Sequence, residues 1–538
     1  MSTPQWGSPP DSAGQPEWLT NSAPPESGSG GGRRRGVIIG ASVAALALVG
    51  GGAFAAYQFL DSAGDQPADA LPGGAIAYAR IDFDPSASQK IAVVQLLRRV
   101  PQFEEETGIT SDREDLRRVI VDRFLGDSEC AELSFADDFQ PWIGDRAGFA
   151  VVAAEGEPQP VVALQVTDQE QARDAVDALS ACSNLASAGD DSTTLGAGGD
   201  GSEDSGIEFV SDYMLIAQSQ ELATDFAADA ESAPLSAEAG FSTAMDSLGE
   251  QGVASFWADV DAIREQLAEQ GNPEIDDVSS ALQEVHSYSA AFRAGADYLE
   301  FATQVDSDTT LGGVDGNPIE NLPGTTTLGA FSVSNAGDLV DSYWNQLGSF
   351  LGLAQPESFE GGVTEFERQS GLRLPEDLRT LLGDNVTAAL DSTDLTPDTI
   401  HSAVDLADVN FGVRFTTDPA AIQDLLDRVQ ARIDESGSDF TFTTAETDDG
   451  LVVASNPDYA QTLADDGDLG DSEAFELAVP AAQEAVSAFY LDLDMIADLA
   501  RDAGGETTNF LEPMRSFGIA VSPTEDGFTT ATMRLTFD

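Results

Sequence analysis

The chain repeats itself, which limits its fold to something that can be built twice. The plainest copy is Ala488-Phe489-Tyr490-Leu491-Asp492-Leu493-Asp494-Met495-Ile496, which follows the pattern of Ser255-Phe256-Trp257-Ala258-Asp259-Val260-Asp261-Ala262-Ile263. Four more pairs keep the same order. Leu71-Pro72-Gly73 matches Leu322-Pro323-Gly324, and Trp142-Ile143-Gly144-Asp145-Arg146 matches Leu381-Leu382-Gly383-Asp384-Asn385. Gln165-Val166-Thr167-Asp168 matches Phe415-Thr416-Thr417-Asp418, and Met214-Leu215-Ile216-Ala217-Gln218 matches Leu451-Val452-Val453-Ala454-Ser455. In chain order the offsets are 251, 239, 250, 237 and 233. The fall from 250 to 237 brackets the Ser/Gly/Asp-rich stretch 183–205, and the rise from 239 to 250 brackets Asp391–Asp408. Kept order, with gaps in loop-like sequence, predicts two copies of one unit at 71–310 and 320–538. A turn-rich linker at 311–319 joins them, and 183–205 is a mobile insertion.

Within the first copy, Gly74–Phe83 alternates like a strand, and Asp84-Pro85 opens a helix over Ser86–Val100. A helix follows at Asp112–Phe124, then strands at Gly148–Ala153 and Pro160–Val166 and a helix at Asp168–Leu179. A hairpin pairs Ile207–Val210 with Tyr213–Ala217, strand Val253–Trp257 leads to helix Ala262–Glu269, and strands Val285–Phe292 and Tyr298–Val305 close the unit. Strands in sequence favour antiparallel pairing. The expected fold class is α+β: an N-terminal single transmembrane helix, then two tandem related units of mostly antiparallel sheet with covering helices.

The expected anchor is Gly36–Leu60, an uncharged run of 25 residues after Arg33-Arg34-Arg35. At a helical rise it reaches about 37 Å, enough to cross a bilayer with tilt. A cleaved signal peptide ending at Ala53-Phe54-Ala55 competes with this, but 35 residues precede the run and it continues through Leu60. Residues 1–35 read as a disordered cytoplasmic tail, 61–70 as a tether, and the rest as an extracellular region of a single-pass cell-membrane protein. The membrane is thus one expected partner. Net charge is −71, while the tail balances three acids with three arginines, so the outer region carries the excess. That excludes a nucleic-acid partner and favours a cationic or cell-envelope one.

Candidate chemistry is sparse. Cys130 and Cys182 are the two cysteines, and outside the cytoplasm they would pair. The repeated pairs Asp259/Asp261 and Asp492/Asp494 have the spacing to share a Ca²⁺, or for Asp261 and Asp494 to cap the following helices. Capping is the expectation, and no other cofactor is implied. The only histidines are His286 and His401. His286 alternates with Tyr288, Ala290 and Phe292 and reads as a packed histidine. His401 stands in no metal or triad pattern, and Ser88 and Lys90 are not spaced as a Ser-Lys pair. Trp142 reads as a core anchor ahead of a Gly-Asp turn.

Several stretches resemble an actinobacterial membrane-anchored family catalogued as domain of unknown function 3352. They are Arg33-Arg34-Arg35, Leu71-Pro72, Asp84-Pro85-Ser86-Ala87-Ser88-Gln89-Lys90, Gly126–Leu133 with Cys130, and Pro141-Trp142-Ile143-Gly144-Asp145-Arg146. The resemblance implies a cell-surface protein and carries no catalytic residues. The expected function is a non-enzymatic binding or cell-envelope interaction module. A lipid or apolar-ligand carrier and a carboxylate-dependent glycan hydrolase are the alternatives.

Overall fold

The structure is a computed structural model. It describes residues 66–83, 115–126, 130, 132–154, 157–186, 205–270, 284–308, 312, 314, 316–337, 340, 344, 356–396, 409–436, 441–502, 511–524 and 527–538.

The strands of the first half are β1 (Ala75–Asp82), β2 (Ile143–Val152), β3 (Gln159–Val166), β4 (Gly206–Val210), β5 (Tyr213–Ala217), β6 (Ala254–Asp259), β7 (Val285–Ala294) and β8 (Tyr298–Ser307). Those of the second are β9 (Thr327–Ser334), β10 (Asn385–Asp391), β11 (Phe411–Thr416), β12 (Thr443–Glu446), β13 (Gly450–Ala454), β14 (Ser487–Asp492), β15 (Met514–Pro523) and β16 (Thr529–Phe537). All sixteen belong to one sheet, in the order β4-β5-β3-β2-β1-β6-β7-β8-β16-β15-β14-β9-β10-β11-β13-β12. Adding eight to each strand number of the first half gives the second half, read outward from the central β8–β16 pair.

The expected fold class is therefore corrected. The halves are not separate tandem units, because β8 and β16 pair antiparallel and turn both into one continuous sheet. The expected transmembrane helix at Gly36–Leu60 lies outside the described residues, and among the described residues no helix is long and apolar enough to cross a membrane. Also outside them lie the tail, the predicted helix Ser86–Val100, His401 and most of 183–205.

The helices are α1 (Leu116–Gly126), α2 (Gln169–Ala186), α3 (Gln220–Ser232), α4 (Ala239–Leu248), α5 (Val260–Gln270), α6 (Pro356–Ser370), α7 (Glu376–Leu382), α8 (Pro419–Ser436), α9 (Pro457–Ala464), α10 (Glu473–Ala478) and α11 (Leu493–Asp502). Several of their starts are set by short polar side chains that satisfy free backbone N–H groups. Ser219 accepts from Leu222 at the start of α3, and Asn456 accepts from Tyr459 at the matching start of α9. Asp168 and Asp418 cap α2 and α8, which are 18 residues each. Helix α2 runs to Ala186, so the insertion begins later than 183. Ahead of residue 71, Ala68 and Ala70 are buried, so the unit starts within the expected tether.

Helices cover both faces. On one, α3 and α4 close over Tyr78, Leu215 and Trp257, with Phe241 edge-on to Tyr78 at 5.2 Å and to Trp257 at 5.3 Å. The second half repeats this with α9 and α10, where Phe475 meets Tyr490 at 5.3 Å. On the other face α1 and α2 pack over Met214, Trp142 and Phe139. Trp142 is buried, as a core anchor must be, and donates its indole N–H to the Asp138 carbonyl. Gly144-Asp145, read as a turn, instead lies inside β2 at a shift in register between Ile143 and Ala147.

Candidate functional site

A row of directly paired residues shows how the sheet places its polar side chains, since paired residues share a face. It runs Arg80–Ser255–Ala291–Ala302–Thr532–Ala520–Ala488–Ser332. Arg80 and Ser332 thus hold matching positions in β1 and β9. In the first half, buried Asp82 accepts from Arg80 at 3.0 Å and from Arg146 at 3.3 Å, and Arg80 also reaches Gln251. In the second half the same places hold Ser332, Ser334 and Asn385. These close a neutral network: Asn385 donates to both serines, and Thr387 donates to Asn385 at 2.7 Å. The same frame is held by charges in one copy and by neutral hydrogen bonds in the other.

The four candidate aspartates divide differently from the expectation. Asp259 accepts from the Ala262 backbone N–H and Asp492 from that of Met495, each at 2.8 Å. The caps are therefore the first aspartate of each pair, not Asp261 and Asp494, because α5 and α11 begin at Val260 and Leu493. Asp261 instead joins Arg264 and His286. Asp494 lies at the surface, and partial desolvation, then Asp538 and Asp492, push its carboxyl up to about 6. Burial also raises Asp492, opposed by the Met495 N–H. Among the described residues no group of three or more His, Cys, Asp or Glu could hold a metal ion.

His286 is not a packed core residue. Its ring lies between Asp261, 2.8 Å from Nδ1, and Asp308, 3.2 Å from Nε2. A register shift between Val285 and Ser287 breaks the alternation from which its packing was read. Cys130 and Cys182 are joined in a disulfide that packs with Phe135 and Trp142 at the foot of α2.

The second half also carries an open groove of about 560 Å³, which no sequence pattern announced. Its carboxylates come from three places: Glu320 ahead of β9, Asp468 and Asp471 between α9 and α10, and Glu476 and Glu484 ahead of β14. Glu320 is raised by burial first, with Asp471 adding to the shift and a hydrogen bond to Gln483 opposing it. Asp468 is held by the Gly324 N–H at 2.9 Å. The acids converge only in three dimensions, and each alone looks like one more member of a very acidic chain.

One antiparallel sheet of two like halves, roofed by helices on both faces, defines the class of fold. The chain belongs to the family described as protein of unknown function (DUF3352), whose model matches residues 38–432. No curated protein and no solved structure matches it.

Proposed function

We propose that the chain is a non-enzymatic binding module whose second half takes a cationic group of a cell-envelope partner. The groove carries this reading: carboxylates from three segments line one concavity, and burial together with Asp471 raises Glu320. Carboxylates crowded in this way gain from a positive ligand that neutralises them. The Cys130–Cys182 disulfide supports a place outside the cytoplasm, since such bonds persist in oxidising compartments. On the resemblance of Arg33–Arg35 and Asp84–Lys90, we extend the proposal to the surface of an actinobacterial cell. The test is calorimetric titration of the full chain with a lysine- and arginine-rich peptide at low and high salt. Saturable, salt-sensitive binding that Glu320→Gln with Asp471→Asn weakens supports the reading. Binding indifferent to those substitutions, or no binding at low salt, defeats it.

A carrier of an apolar molecule is the second reading. It is favoured by a row on the other face from Ile81 through Phe292, Phe301, Met533 and Phe489 to Phe331. Ile81 is 44% and Phe331 45% exposed at its two ends. Failure of the full chain to take up a fluorescent fatty acid would remove it.

A further inference from the structure

His286 stands where the chain leaves its first half, and both of its ring nitrogens face carboxylates. Nδ1 meets Asp261 in the first turn of α5, and Nε2 meets Asp308 just beyond β8. A neutral imidazole carries one N–H, and an ionised carboxylate can only accept. Both bridges therefore exist together only while the ring carries two protons. The charged groups at this end of the neighbouring elements include Asp259 at the end of β6, Asp261, Arg264 and Glu265 in α5, Glu284 ahead of β7, and Asp306 and Asp308 at the end of β8. Arg264 takes one oxygen of Asp261, and His286 takes the other. The backbone completes the join, since the Asp308 N–H donates to the Glu284 carbonyl at 2.8 Å.

The second half repeats the strand pairing at this corner, with Arg515 in the place of His286 and Ala497 in that of Arg264. Asp259 pairs with Ser287, one residue after His286, as Asp492 pairs with Ser516, one residue after Arg515. Val285 pairs with Ser307, one residue before Asp308, as Met514 pairs with Phe537, one residue before Asp538. His286 and Asp308 thus correspond to Arg515 and Asp538. Arg515 cannot lose its charge in the range where proteins fold, and it bonds Glu473 at 3.0 Å.

We propose that His286 is a proton-operated clasp: the doubly protonated ring ties α5 to the exit of β8, and loss of one proton opens one of the two bridges. An imidazole changes charge between about pH 5 and 8. At the matching position of the second half Arg515 keeps its charge throughout that range and bonds Glu473 of α10 instead.

The test uses the folded full chain. Histidine ring ¹⁵N signals come from two residues, and His286→Arg identifies which belongs to position 286. At pH 5.5 both ring nitrogens of His286 should carry protons. Between pH 5.5 and 8, hydrogen-exchange protection at 305–308, corrected for intrinsic rate, should fall about two- to fivefold, the worth of one exposed bridge. The His286→Arg chain should keep its protection across that range. Asp308→Asn, a milder change, should show the weaker protection already at pH 5.5. A singly protonated ring at pH 5.5, or a His286→Arg chain with the wild-type pH profile, overturns the proposal.

Discussion

Ala302 and Thr532 pair with each other across the β8–β16 ladder, and each is the other's counterpart in the duplicated fold. The local two-fold axis of the sheet therefore passes between them. Two positions along, that symmetry is broken by charge: Glu300 faces Arg534, while the mirrored pair is Gln304 with Thr530. Glu300 is buried, and it accepts from Arg534 at 2.6 Å and from Arg293 at 2.8 Å. One carboxylate thus ties an arginine from each half.

Glu300→Ala should leave two arginines without their anion and cost about 3–5 kcal/mol, the usual effect of breaking a buried ion pair from one side. Urea denaturation of the full chain measures it. A loss under about 1 kcal/mol would mean that backbone pairing alone holds the seam.

The repeat was legible because it rests on local signals: alternation in strands, a cap before each helix, and order along the chain. The seam was not, because alternation shows which face a residue takes and not which strand lies beside it. Glu300 and Arg534 are 234 residues apart, and no local pattern joins them. The alternation misleads at His286 because its strand slips register between Val285 and Ser287, and its ring meets Asp261 and Asp308. The caps were misplaced by two residues because sequence does not fix where β6 ends and α5 begins. The groove acids were hidden by their number, since the chain has 95 Asp and Glu.

Asp82 offers a test of the charged frame in the first half. Asp82→Asn keeps the shape but removes the charge that holds Arg80 and Arg146. A cost of about 3–5 kcal/mol is expected. Asn385→Leu, in the neutral network of the second half, removes the amide that donates to Ser332 and Ser334 and should cost about 1–3 kcal/mol. Thermal denaturation of both variants should rank them in that order, and the reverse ranking would show that the charges contribute little.

The disulfide spans 52 residues. In the chain-entropy model a loop of that size stabilises by about 4 kcal/mol. Reduction should therefore lower the urea midpoint without abolishing the sheet, because Cys130 remains packed with Phe135, Phe139 and Trp142. Replacing both cysteines by alanine should reproduce the shift seen on reduction. A double variant as stable as the oxidised chain would show that the bond adds nothing to the packing.

Asp494 should make stability fall as pH rises. Partial desolvation, then Asp538 and Asp492, raise its carboxyl from 3.8 to about 6, and Arg515 offsets only part of this. Between about pH 4 and 6 the folded chain holds a proton that the unfolded chain has released. Folding is therefore favoured at the acid end of that window and loses this advantage as pH climbs through 6. Above pH 6 the ionised group faces Asp538 and Asp492, and the charge of Arg515 offsets only part of that repulsion. Asp494→Asn should raise the melting temperature at pH 7.5 and leave it nearly unchanged at pH 4, where aspartate is already neutral in the folded chain. Because the group is partly open to solvent, the gain should be modest. The variant-minus-wild-type difference at each pH isolates this residue from the many other acids that titrate beside it. An equal difference at both values would assign the effect to packing at the start of α11 rather than to charge.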